Sequence, residues 1–86
     1  APKRATQDEL KELRSALRKA EARVEKIEEM RDKLATKLAD PALYEDARKG
    51  ELDTWQKKYA EVMEGLHRAE ALWMAAEEKL QKAEAR

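Results

Sequence analysis

His67 is the only histidine in the chain, and there is no cysteine. A neutral imidazole can act as a base or a metal ligand, but no second ligand stands at a spacing that completes a site, so His67 reads as a solvated surface group. Neighbouring carboxylates such as Glu28-Glu29 and Glu77-Glu78 are the raw material of general acid–base pairs. Such chemistry needs a cleft that moves their pKa values, and nothing in the pattern below builds one. Trp55, Tyr59 and Trp73 could stack on nucleobases; their heptad spacing favours a place in a helix–helix seam instead. With two glycines, a Gly-rich phosphate loop is excluded. What remains is cationic: Lys19, Arg23, Lys26, Lys33 and Lys37 recur at helical spacing, with Lys58 later in the chain. A basic stripe of that kind can neutralise a row of phosphates, each contact releasing counterions.

The elements that must position these side chains are helices. Ala, Glu, Lys, Leu and Arg make up 59 of 86 residues, a composition of long helices. Only six residues are Val, Ile or Thr, and Phe is absent, which excludes a sheet. Thr6-Gln7-Asp8-Glu9 is a capping box, in which hydroxyl and carboxylate satisfy orphan amides of a first turn. From there apolar residues step by three and four through Leu10, Leu13, Leu17, Ala20, Val24, Ile27, Leu34 and Leu38, interrupted by Arg31. Asp40-Pro41 then stops the helix, because proline lacks the amide and clashes with the preceding turn. A second alternation runs unbroken through Leu52, Trp55, Tyr59, Val62, Leu66, Ala69, Trp73, Ala76, Leu80 and Ala83. The 3.5-residue period predicts supercoiled helices, and the short connection makes them antiparallel. The expected fold is therefore all-α, a two-helix antiparallel coiled-coil hairpin with helix 7–39, turn 40–47 and helix 48–85. About thirty residues per helix give a rod ~45 Å long.

Interdigitation favours one register, with layers Leu13/Leu80, Leu17/Ala76, Ala20/Trp73, Val24/Ala69, Ile27/Leu66, Leu34/Tyr59 and Leu38/Trp55. Trp73 then faces a small residue, which keeps the core at constant thickness. Arg31 falls opposite Val62 and must carry its guanidinium out of the seam. Leu43 and Tyr44 are expected to cap the turn end of the seam near Leu38 and Leu52. The chain has 19 basic and 19 acidic residues and no net charge, yet the charges segregate. From Glu12 to Lys82, positions immediately before the seam residues hold nine basic groups, including the six named above, against the three acids Glu12, Glu51 and Glu61, and Arg48 and Lys49 extend this side around the turn. Positions immediately after them hold Glu21, Glu25, Glu28, Asp32, Asp53, Glu70, Glu77 and Glu84 against Lys11, Arg14 and Arg18. Ladders of i,i+4 ion pairs that merely keep a helix soluble mix signs on one face; this basic face mixes them poorly.

Around the turn, Leu38-Ala39-Asp40-Pro41-Ala42-Leu43-Tyr44 resembles the Leu-x-Asp-x-x-Leu-Tyr turn that joins two antiparallel helices in the C-terminal domain of ABC-F ATPases. Ala69-Glu70-Ala71-Leu72-Trp73-Met74-Ala75-Ala76-Glu77 is similar to the late Trp of that domain in its Glu/Ala-rich setting. The stretch Tyr44 to Leu52 is nearest the YheS-like branch, with the Uup-like branch a near relative, and the likeness covers roughly residues 10 to 84. It implies a bacterial cytoplasmic parent with two ATP-binding cassettes and no membrane domain, acting on ribosomes. In the Uup-like branch it further implies a coiled coil associated with DNA binding. The chain has no Walker A sequence and no Ser-Gly-Gly-Gln signature, so ATP and Mg would belong to the parent. Residues 1–6, with Lys3 and Arg4, would be the end of a linker from the second cassette.

Two functions follow as expectations. In one, a monomeric, non-enzymatic hairpin contacts DNA, rRNA or the ribosome through Lys19, Arg23, Lys26, Lys33, Lys37 and Lys58. In the other, it is a structural spacer or a protein-interaction coiled coil using its acidic face or the apolar edge at Met30 and Leu72. No apolar run approaches the ~20 residues of a membrane span.

Overall fold

A computed structural model of the chain describes residues 5–85; the expected linker residues Ala1 to Arg4 lie outside them. Thr6 opens the first helix as its sequence requires, its hydroxyl accepting the Glu9 amide hydrogen bond at 3.1 Å. Asp8 and Glu9 occupy the first turn and Lys37 the last, the charge order that complements a helix dipole. This helix, α1, runs Gln7–Leu38. Past it, Asp40 takes an extended conformation and its carboxylate accepts the Ala42 amide at 3.0 Å. That cap starts a 3₁₀ turn, Pro41–Tyr44, with proline at its opening. A second 3₁₀ turn, Asp46–Arg48, leads into helix α2, Lys49–Glu84. The protein is an all-α helical hairpin.

Its Cα extents are 68 × 16 × 13 Å, longer than the ~45 Å expected from thirty-residue helices. The 36 residues of α2 alone reach ~54 Å at 1.5 Å per residue, and the ordered turn adds to that. Such a rod buries little. Leu43, Leu66, Ala69, Leu80 and Ala83 are its buried apolar residues, and α1 has none. The remaining seam positions are half-buried, because one partner helix shields only one side of each.

Two contacts between the helices fit the expected register. Trp73 donates its indole N–H to Glu21, the neighbour of Ala20, at 3.3 Å. Lys37, the neighbour of Leu38, lies over Trp55. Arg31 leaves the seam as anticipated: its guanidinium reaches Asp32 at 3.1 Å and Glu28 at 3.8 Å.

The turn corrects one expectation. Leu43 is wholly buried, but Tyr44 is 54% exposed. Its hydroxyl donates to the Leu38 carbonyl at 2.6 Å, so it closes the end of α1 by satisfying a carbonyl that the helix leaves free.

Candidate nucleic-acid interface

The two flanks of the rod are separate surfaces. On one side Arg14 reaches across to Glu84 at 4.0 Å, and Glu21, Glu25, Glu28 and Glu70 line a groove floored by Val24 and Trp73. On the other, Met30 and Lys33 of α1 and Lys58 and Glu61 of α2 line a second groove over Leu34, Val62 and Trp55. Residues preceding seam positions on both helices thus share one side, as antiparallel packing demands.

Lys19, Arg23, Lys26 and Lys33 are exposed along α1. Lys19 to Lys37 spans ~27 Å of helix axis at 1.5 Å per residue. Lys37 is half-buried and Lys58 exposed. Among the described residues, none of the six has a carboxylate within 4.0 Å. Elsewhere the basic groups Arg31, Arg48, Lys49, Lys57 and Lys82 pair locally with acids three or four residues away or adjacent. The structure brings Lys33 and Lys58 together on one groove, and Lys37 is joined to it through the Trp55 ring; Lys19, Arg23 and Lys26 continue along α1 away from it.

Lys37 and Lys58 share Trp55. Their ammonium nitrogens lie 5.5 and 4.9 Å from its ring centroid, within the range where the negative face of an indole attracts a cation. Two like charges are thus held on one aromatic side chain. Trp55 holds the seam place its heptad spacing gives it, half-buried like its neighbours, and also forms part of the groove wall. The available signal was local: Trp55 and Lys58 stand three apart, a spacing that puts side chains next to each other on a helix. Trp73 differs, its indole N–H being committed to Glu21 on the acidic side.

At the turn end, Arg48 holds the Glu51 carboxyl below the ordinary carboxylate range, first by a side-chain hydrogen bond and then by its charge, with a smaller contribution from Lys37. The Arg48 guanidinium is correspondingly raised above its ordinary value, mainly by the same bond. Arg48 is therefore neutralised at short range and is not a free extension of the basic stripe. His67 is exposed, and among the described residues no three His, Cys, Asp or Glu side chains are grouped to hold a metal. No described helix is long and apolar enough to cross a membrane.

Comparison with protein-family models, curated proteins and solved structures finds no match to this chain.

Proposed function

We propose that the hairpin is a non-enzymatic nucleic-acid-binding appendage, laying its basic flank along the phosphates of DNA or structured RNA. The observation that carries this reading is the row of six basic side chains on one flank, none of them paired with a carboxylate among the described residues. Unpaired cations lined up at helical spacing repel one another, and a polyanion relieves that repulsion while releasing its own counterions. Contacts of this type go to the backbone and carry little sequence information.

The turn motif Leu38 to Tyr44 and the late Trp73 support a finer proposal. The hairpin serves as the accessory C-terminal coiled coil of a bacterial, cytoplasmic ABC-F ATP-binding protein, helping to hold it on DNA, rRNA or the ribosome. Catalysis with ATP and Mg then resides in the parent's cassettes.

A second reading has its own observation: Met30, Leu72 and Met74 are 53%, 60% and 57% exposed, which suits a spacer or protein-interaction coiled coil. Titration of labelled duplex DNA and structured RNA at low and moderate salt separates the two. Affinity should be no tighter than about 10⁻⁴–10⁻⁶ M at physiological salt and should fall steeply as salt rises. Changing Lys26, Lys33 and Lys37 to Glu should abolish binding, whereas reversing Arg14 and Arg18 on the acidic side should leave it intact. Equal losses in both variants, or no binding at low salt, favour the spacer.

A further inference from the structure

Beside the row of cations, the basic flank holds an aromatic surface that phosphate contacts leave unused. The groove over Leu34, Val62 and Trp55 has a volume of about 400 Å³, within the few hundred Å³ typical of small-ligand sites. Met30 stands at one end and Trp55 at the other, separated by ~12 Å along the rod in the antiparallel register. Its walls are apolar, and Lys33, Lys58 and the single acid Glu61 stand at its rim. Lys37 lies 5.5 Å from the centroid of the same Trp55 ring.

We propose that this groove takes one unpaired nucleotide, its base laid against Trp55 and its flanking phosphates held by Lys33, Lys37 and Lys58. The proposal rests on the reading of the basic flank as a nucleic-acid surface and names the kind of nucleic acid that flank prefers: single strands, ends or bulges over intact duplex. Charge complementarity selects the occupant. Three lysines with no carboxylate within 4.0 Å among the described residues call for an anion, and an indole flanked by apolar side chains calls for a planar group attached to it. A nucleotide supplies both. The lysines leave the ring readily, because a cation–π contact at an exposed site is weak and a phosphate is a stronger partner for an ammonium. Glu61 disfavours phosphate nearest Met30, which weights the phosphates toward Lys37 and Lys58 beside Trp55.

The test compares a thymidine oligonucleotide with an abasic oligonucleotide of equal length and phosphate count. Binding is followed by tryptophan fluorescence in a Trp73→Phe background, where Trp55 is the sole reporter, and by anisotropy of the labelled strands with the unaltered protein. The expected result is tighter binding of the base-bearing strand by roughly five- to hundredfold, the range for loss of one base–aromatic stack, with Trp55 quenched by that strand alone. Trp55→Leu should erase the difference between the two strands, and a difference that survives it overturns the stacking site. Equal binding of the two strands by the unaltered protein overturns the stacking site yet leaves the phosphate-row reading standing; no binding of either at low salt overturns both. Polyglutamate binding as tightly as the oligonucleotide, with the same quenching, assigns the groove to an acidic polypeptide and also overturns the proposal.

Discussion

Leu43 and Tyr44 are adjacent, both large, and secure the turn by different means. Leu43 has no exposed surface, so Leu43→Ala opens a cavity and should cost about 2–5 kcal/mol in urea denaturation. Tyr44 contributes through its hydroxyl, which holds the Leu38 carbonyl. Tyr44→Phe should cost about 0.5–1.5 kcal/mol, the worth of one hydrogen bond, and a loss equal to that of Leu43→Ala would contradict this division. Glu51 gives the rod an acid-sensitive contact. Its carboxyl is held below the ordinary range by Arg48, so the stabilisation is complete above the unfolded-state value and disappears as pH falls through the lower folded-state value. Thermal melts from neutral to acid pH should show a shallower decline in Glu51→Gln than in the unaltered protein; an identical decline would mean that the Arg48 contact does not form in solution.

At the scale of the helices, the heptad alternation made the hairpin legible, because a 3.5-residue period has few structural meanings. Thr6 and Asp40-Pro41 marked the boundaries for the same reason: each solves a specific problem of a helix end. The turn was less legible, since hydrophobicity says that Leu43 and Tyr44 need cover and does not say that one finds a carbonyl instead. The groove was half legible. Charge pattern revealed the basic side, but Trp55 belongs both to the seam and to that side, and a two-way division into core and surface hid the second role. Leu66 tests the seam itself. It is 2% exposed and lies opposite Ile27 in the expected register. Leu66→Lys would place an ammonium in an apolar layer without a partner, so the far-ultraviolet circular dichroism melt should shift sharply downward or vanish. An unchanged melting temperature would refute the register.

Over the whole molecule, equal numbers of acids and bases are distributed so that the rod is neutral along its length and polar across it. That arrangement depends on the chain doubling back: one straight helix would turn its two charge stripes around a single cylinder, whereas the hairpin aligns stripes from α1 and α2 on common sides. Arg14 and Glu84 mark the alignment, meeting at 4.0 Å although they lie near opposite ends of the chain. Because the chain contains no cysteine, Arg14→Cys and Glu84→Cys together introduce a unique pair that a short bis-maleimide can bridge. In a monomeric antiparallel hairpin the bridge closes within one molecule at every protein concentration. It encloses a loop of about 70 residues, and restricting the unfolded chain to that extent should raise stability by up to about 4 kcal/mol. Covalent dimers that increase with concentration would instead require α1 of one molecule to pair with α2 of another, and the transverse separation of charge would then belong to the dimer.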